Sequence, residues 1–186
     1  YKGAEIDGLL ILDKKLKPGT PIADVLELND TIIDLSVLPN RSDCNSIISL
    51  ARELAAALNL PFKMPDLTYK AIKDKTSDNL KVEVSDFELC PRYMVNVVKN
   101  VKVEKSPVWM QKRLQLLGMK PYNNFVDITN YVLLEIGQPM HAFDLDKIGG
   151  KALNIKRANQ NEKIVTIGGK ENNLNSDMLV ISDNKQ

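Results

Sequence analysis

Residues 126–146 read VDITNYVLLEIGQPMHAFDLD, and the rest of the chain is organised around this stretch. Its apolar residues recur at helical spacing, which predicts a short helix from Thr129 to Gly137. Asp127 or Thr129 is expected to cap the start of this helix, and the glycine is expected to end it. A Gly-Gln-Pro turn then leads to His141, the one histidine of the chain. The residues expected to pack inward are Val132, Leu133 and Ile136.

The predicted start of this helix suggests a binding pocket for a small molecule or an aminoacyl ester. Unpaired N–H groups at a helix start can hold a carboxylate, a phosphate or a carbonyl oxygen, and Thr129 and Asn130 would add a hydroxyl and an amide there. Pro139 stiffens the turn before His141, whose imidazole can donate, accept or carry a proton near neutral pH. The residues alone favour plain helix capping for the Thr–Asn pair and a structural hydrogen bond for the histidine, so both interpretations stay open.

Composition narrows the class of protein. The chain has 186 residues, of which 44% are hydrophobic and 26% charged, as in a globular protein. A net charge of +1 gives no evidence for nucleic-acid binding, although a local basic patch can lie within a neutral total. No apolar run approaches the roughly 20 residues of a membrane span. Two cysteines and one histidine cannot form a four-ligand zinc site, and we expect Cys44 and Cys90 to be reduced thiols.

The first part of the chain reads as short strands followed by a helix. Strands are predicted at Gly8–Asp13 and Thr31–Pro39, with a turn at Lys17–Pro21 between them. A helix is predicted after an N-cap at Ser42 or Asp43, and Pro61 would stop it. The core face of this helix is expected to hold Ile47, Ala51, Leu54, Ala55 and Leu58.

The second part combines strands with one further helix. Leu80–Asp86 alternates like a half-buried strand, and Arg92–Glu104 is rich in β-branched residues. Ser106 and Pro107 then predict a helix that ends at Gly118. The fold class is therefore α+β, with two small domains, a helix-containing N-terminal piece and a mixed-strand domain with helices packed on it. Further strands are predicted at Ala152–Ala158, Glu162–Gly169 and Asp177–Asp183.

Several polar and aromatic residues are interpreted as structural. Trp109 is expected to pack, with Val108, Met110, Leu114 and Leu117 on the core face of its helix. Lys112 and Arg113 are expected to point outward, and a single pair of bases is weak evidence for RNA contact. Asp144 and Asp146 are assigned to a turn, because no supporting ligands accompany them, so no metal site is predicted.

The sequence resembles the beta subunit of bacterial phenylalanyl-tRNA synthetases. Four segments carry this resemblance, they occur in the family's order, and together they cover nearly the whole chain. The third is the most specific. The segments are LPNRSDCNSIISLARELAA, CPRYMVNVVKNV, SPVWMQKRLQLLGMKPYNNFVDITNYVLLEIGQPMHAFDLDKI and DMLVISDN.

The resemblance implies a modular subunit of a cytoplasmic (αβ)₂ enzyme. Such an enzyme joins phenylalanine to tRNA(Phe) with ATP and Mg²⁺ on its alpha subunit, while the beta subunit carries an editing domain that hydrolyses tyrosyl-tRNA. Residues 1–64 would be the latter part of the first domain, 65–79 a linker, and 80–186 the first portion of the editing domain. No cofactor is expected on this fragment itself. Two alternatives are a scaffold that docks the alpha subunit and tRNA, and a free-standing editing hydrolase.

The resemblance also implies the site residues. Thr129, Asn130 and His141 match the catalytic residues of the family's editing pocket, and Pro139 matches its wall. Lys120 falls where the family usually has a substrate-binding arginine, and lysine keeps the charge without the planar fork. The family's pocket also uses a glycine-rich stretch and a glutamate that would follow Gln186, so we expect the pocket of this chain to be incomplete.

Overall fold

A computed structural model describes residues 15–26, 29–166 and 168–183. Helices and strands are both present among these residues, and the predicted α+β class is confirmed. The predicted strand at Gly8–Asp13 lies outside the described residues. No helix in the described ranges combines the length and apolarity needed to cross a bilayer. The helices are α1 (Ile22–Val25), α2 (Ile47–Leu58), α3 (Val108–Leu116) and α4 (Asn124–Ile136); the strands are β1 (Lys81–Val84), β2 (Ala152–Arg157), β3 (Lys163–Val165), β4 (Glu171–Asn173) and β5 (Leu179–Asp183).

The chain divides into two compact units, and each is built from two separate stretches of sequence. The first unit comprises Tyr1–Pro65 and Val103–Ala142, and it holds α2, α3 and α4. The second comprises Asp66–Lys102 and Phe143–Gln186, and it holds all the described strands. The predicted boundaries, with a linker at 65–79, refer to the family's domains and not to these compact units. They stay a prediction.

The start of α2 differs from the prediction. Residues Pro39–Cys44 form a 3-10 segment, and Arg41 interrupts it with a φ of −126° and a ψ of 43°. The N-cap of α2 is therefore Ser46, whose Oγ accepts a hydrogen bond from the Ser49 N–H at 3.3 Å. Ser42 and Asp43 were the wrong choice because the kink separates them from the helix. The end of α2 is as expected, since Asn59 adopts the left-handed conformation just before Pro61.

The buried side of α2 is also rotated from the predicted face. Ile48 is buried, whereas Ile47, Leu54 and Leu58 are exposed. Apolar residues surround much of this helix, so their pattern does not show which side the neighbouring helix α4 covers.

Helix α3 buries half of its predicted face. Met110 and Leu114 are buried, but Val108 and Leu117 lie at the two ends of the helix and are exposed. The N-cap position is Pro107, and the preceding serine does not cap the helix, so that part of the prediction is wrong. Gly118, with a φ of +81°, follows the helix as predicted.

The second unit is built on a three-stranded mixed sheet with the order β1-β2-β5. Strand β1 runs parallel to β2, with Lys81 opposite Ala152, and β5 runs antiparallel to β2, with Ile181 opposite Ile155. The central strand supplies the core, and Ile155 is only 1% exposed. Strands β3 and β4 form a separate antiparallel hairpin. The predictions of β1, β2 and β5 are confirmed, and that of β3 is confirmed for Lys163–Val165 only, because the Gly169 N–H bonds the Thr166 carbonyl in a turn. Strand β4 has the sequence ENN, which carries no strand signal.

Two predicted strands do not form within the described residues. Residues 31–38 contain no strand, and Ile32 and Ile33 are exposed. Residues 92–104 also contain none, and Asn100 interrupts them with a φ of +58°. Both stretches have β-branched residues but pair with no described strand, and strand formation depends on such pairing more than on intrinsic propensity.

An ion pair joins the end of β1 to the end of β2. The Asp86 carboxylate accepts the Leu89 N–H at 2.9 Å and also accepts a hydrogen bond from Arg157 Nε. These contacts lower the pKa of Asp86, and the backbone N–H contributes most. Asp86 in turn raises the pKa of Arg157.

The acid dependence of stability is expected to change in Asp86→Asn. The ordinary pKa of this carboxyl group is 3.8, and its pKa is lower in the folded state. The group therefore stabilises the fold fully at a pH above 3.8, and this contribution is lost as the pH falls from 3.8 through the lower pKa of the folded state. Urea unfolding at pH 7 and pH 3 measures the effect. The wild type should lose more stability between these pH values than Asp86→Asn does, and Arg157→Gln should lie between them. Equal losses in all three proteins would contradict the prediction.

Candidate functional site

Helix α4 begins earlier than the sequence predicted. Its N-cap is Asn123, whose Oδ1 accepts hydrogen bonds from the N–H groups of Phe125 and Val126, both at 3.0 Å. The helix ends as predicted at Gly137, which has a φ of +79° and donates its N–H to the Leu133 carbonyl at 2.8 Å. The asparagine pair at residues 123 and 124 was the overlooked start signal.

Thr129 and Asn130 therefore lie within α4 and not at its start. Their backbone N–H groups belong to the helical hydrogen-bond ladder, so the predicted anion seat formed by a helix start beside them is wrong. The Thr129 hydroxyl donates to the Val126 carbonyl at 2.7 Å, which leaves its oxygen lone pairs as acceptors. Both side chains are half-buried, so the pair can contribute side-chain groups to a site but not backbone donors.

A hollow of about 420 Å³ lies between the start of α2 and the end of α4. Leu133 and Leu134 line it, and these residues are one helical turn beyond Thr129 and Asn130. None of the predicted site residues lines this hollow itself. The residues that line it are Ser42, Asp43, Asn45, Ser46, Ser49, Leu133, Leu134, Ile136 and Gly137.

The other predicted site residues lie close to α4 in sequence. Pro139 and His141 follow the helix in an irregular segment, and both are exposed. Lys120 lies in the connection from α3 to α4 and is also exposed. All the predicted site residues therefore belong to the first unit and lie on or beside one helix. Their convergence on one pocket stays a prediction.

A buried carboxylate holds α4 in place, and sequence reasoning missed it. Asp127 is 0% exposed, and it accepts the Ser106 hydroxyl and the Tyr122 N–H, the latter at 2.8 Å. Two bonds between Glu104 and Asn124 add to this, with N···O distances of 2.9 and 3.1 Å. The signal was an aspartate among apolar helix residues, which the sequence interpretation had assigned to capping. These contacts fix the start of the helix that carries Thr129 and Asn130.

Two further acidic residues and the two cysteines make only local contacts or none with each other. Asp144 accepts the Asp146 N–H at 3.1 Å in a turn, and Asp146 pairs with Lys151 at 2.9 Å. Cys44 and Cys90 are both free thiols. Within residues 15–26, 29–166 and 168–183, no group of three or more histidine, cysteine or acidic side chains could hold a metal ion.

Comparison with known proteins places this sequence in a family. The model of the B3/4 domain matches residues 89–186, which include α3, α4 and β2 to β5. The chain is also similar to the beta subunit of phenylalanine–tRNA ligase from several bacteria.

Three of these relatives illustrate the match. The protein of Clostridium acetobutylicum is 46% identical over 179 residues, which are 96% of this chain and 22% of the relative. The protein of Carboxydothermus hydrogenoformans is 46% identical, over 100% of this chain and 23% of the relative. The protein of Bacillus subtilis is 40% identical, over 95% of this chain and 22% of the relative.

The chain thus spans less than a quarter of the length of these relatives. The match extends over both units, because it covers nearly the whole chain. The chain therefore belongs to the B3/4 domain family, and its resemblance to the beta subunits of bacterial phenylalanyl-tRNA synthetases is confirmed.

Proposed function

We propose that the chain is a segment of a phenylalanine–tRNA ligase beta subunit, and that it contributes part of an editing site that hydrolyses tyrosyl-tRNA. The similarity to relatives that bear this subunit's name carries the first half of the proposal. The editing half is supported by the residues that accompany α4. The whole enzyme would pair this subunit with an alpha subunit in an (αβ)₂ assembly in the cytoplasm.

The geometry of α4 suits a site that must hold one end of a substrate. Thr129 and Asn130 are fixed by a helix whose start is anchored through buried Asp127. A side chain on a packed helix holds its position better than one on a loop. We assign the hydroxyl and the amide to the aminoacyl end or to the attacking water.

The exposed residues beside α4 supply the other roles. His141 would orient the ester or the water, because an imidazole can exchange a proton near neutral pH. Lys120 would contact the substrate through its charge, and Pro139 would form part of the pocket wall. No nucleophilic serine or cysteine is assigned, so the reaction would be direct hydrolysis of the ester by water.

An editing site is needed because binding alone cannot separate phenylalanine from tyrosine well enough. An apolar pocket shaped for phenylalanine discriminates against an added hydroxyl only about a hundredfold. A second site that accepts the phenol and hydrolyses the ester raises the overall selectivity. ATP and Mg²⁺ would act in synthesis on the alpha subunit, and none of the residues described here is assigned to hold them.

The test is deacylation of tyrosyl-tRNA by the full-length beta subunit assembled with its alpha subunit. We expect His141→Ala to slow hydrolysis roughly a hundredfold, as loss of a proton-exchanging group does. Asn130→Ala should also slow hydrolysis, whereas attachment of phenylalanine should be unchanged in both variants. The matched control is Asn172→Ala, which removes a half-buried asparagine from β4.

The possible outcomes separate the proposal from its alternative. If His141→Ala and Asn130→Ala both clear tyrosyl-tRNA at the wild-type rate, the editing role is wrong. Wild-type hydrolysis together with weakened assembly or tRNA binding would indicate a scaffold. Equal slowing by Asn172→Ala would also contradict the assignment, because it would show a general loss of structure.

A further inference from the structure

The segment that contains α3 carries positive charge without acidic residues. The whole chain is nearly balanced, with 25 basic and 24 acidic residues. Between residues 105 and 123, however, there is no aspartate or glutamate. A stretch of this kind attracts an anionic partner even though the total charge is close to zero. The basic residues of the stretch are Lys105, Lys112, Arg113 and Lys120.

An exposed aromatic group lies on the same helix. Trp109 is 51% exposed, which corrects the expectation that it is mainly a packing residue. Its ring meets the ring of Tyr131 edge to face, with centroids 5.5 Å apart. The Arg113 guanidinium lies over the Trp109 ring at 5.5 Å and donates from Nη1 to the Tyr131 hydroxyl at 2.7 Å. We call Trp109, Arg113 and Tyr131 the α3 platform.

The charge of the α3 platform is not neutralised by a carboxylate. Among the described residues, Arg41 and Arg157 both form ion pairs with acidic side chains, but Arg113 forms none. Its one side-chain hydrogen bond in the described structure goes to a phenol. A guanidinium has five N–H donors, so most of those of Arg113 remain for an anion. The platform therefore combines an exposed indole with a fixed, uncompensated positive charge.

We infer that the α3 platform binds a single-stranded segment of RNA. A base would stack on the exposed part of the Trp109 indole, and a neighbouring phosphate would take the N–H groups of Arg113. Proteins recognise single-stranded RNA by stacking bases on aromatic rings and on guanidinium planes while cations contact the backbone. The inference rests on the proposed function in one respect, which is the choice of RNA among the possible polyanions.

The platform favours an unpaired strand over a duplex. The bases of an RNA helix are already stacked, and side chains cannot read its deep major groove. One exposed indole with a cation beside it suits one or two splayed bases. Tyr131 directly follows Asn130 on α4, so the platform shares a helix with the proposed editing residues.

Binding can be measured on the 186-residue chain itself, because Trp109 is its only tryptophan. We expect an eight-nucleotide single-stranded oligoribonucleotide to quench the fluorescence of this residue. Duplex RNA and inorganic polyphosphate of equal charge should quench it far less. Arg113→Gln should weaken binding roughly tenfold and reduce the slope of log K against log salt concentration by about 0.7.

Two variants make the measurement specific. Arg52 lies over the Phe62 ring at 5.3 Å, so Arg52→Gln removes a second arginine–aromatic pair and should leave binding unchanged. Trp109→Leu should weaken binding of a fluorescently labelled strand roughly tenfold, as loss of one stacked base does. Circular dichroism of each variant confirms that its fold is retained.

Equal binding of the strand and polyphosphate, or an equal effect of Arg52→Gln and Arg113→Gln, would overturn the inference. The result is independent of the deacylation test. Loss of tyrosyl-tRNA hydrolysis in His141→Ala without RNA binding at Trp109 would refute the platform alone. Binding at Trp109 with wild-type hydrolysis in His141→Ala would refute the editing role alone.

Discussion

Asp127→Ala is expected to lower the free energy of unfolding by about 3 kcal/mol. The carboxylate is 0% exposed and accepts hydrogen bonds from the Ser106 hydroxyl and the Tyr122 N–H. Alanine would leave both donors buried without a partner, and each unsatisfied group costs about 1–3 kcal/mol. It would also remove a negative charge from the first turn of α4, where the helix dipole favours one.

Asp127→Asn is the matched control. An asparagine keeps an oxygen that can accept the Tyr122 N–H, and the Ser106 hydroxyl can rotate to accept from the new amide. We expect a loss of about 1 kcal/mol for this variant. Urea unfolding followed by circular dichroism measures both losses. A loss below about 1 kcal/mol in Asp127→Ala would show that the buried carboxylate is not an anchor of α4.

Leu114→Ala is expected to cost about 3 kcal/mol of stability. Leu114 lies on the side of α3 that packs within the first unit and is 0% exposed. Truncation to alanine removes its buried methyl groups and leaves a cavity, because packed neighbours relax only in part. Amide hydrogen exchange in α3 and α4 should accelerate in parallel.

Leu117→Ala provides the comparison on the same helix. Leu117 is 49% exposed at the end of α3, so its truncation should cost less than about 1 kcal/mol. The two variants remove the same atoms from positions that differ chiefly in burial. Equal losses of stability would mean that burial at Leu114 does not determine the packing of this unit.

Helices α2, α3 and α4 could be predicted because their signals are local, whereas the four-residue helix α1 was not predicted. Gly118 and Gly137 both adopt the left-handed conformation that the sequence assigned to the ends of α3 and α4. Helix starts were harder to predict, since Ser42, Asp43, Ser46 and Asn123 are all acceptable N-cap residues by type. At α2, the backbone conformation of Arg41 determines that Ser46 is the N-cap. No local sequence pattern specifies that conformation.

The predicted strands that did not form depended on non-local contacts, unlike the helices. Residues 92–104 have the composition of a strand, and Val95 and Val97 are half-buried while Met94 and Val98 are exposed. This alternation is the strand pattern without a described partner strand. Pairing is a non-local property, so β-branched composition could indicate where a strand is favoured but not whether it forms.

One part of the candidate site could be predicted from the sequence, and another part could not. The motif identified Thr129, Asn130 and His141 as residues of interest, and the structure puts the first two on a helix with an anchored start. The chemical role assigned from spacing depended on the helix beginning at Thr129, and Asn123 moved that beginning away. A motif can single out candidate residues, whereas the hydrogen-bond donors around them depend on where the helix starts.

The parallel pairing of β1 with β2 has a consequence for how the protein is made. Strand β1 is translated first, but its register partner Ala152 follows only after the whole helical segment Val103–Ala142. On the ribosome, the early strand must therefore remain without its sheet partner β2 while α3 and α4 emerge. Because closing so long a loop costs entropy, we expect the helices to mature first and the sheet to assemble late in biosynthesis.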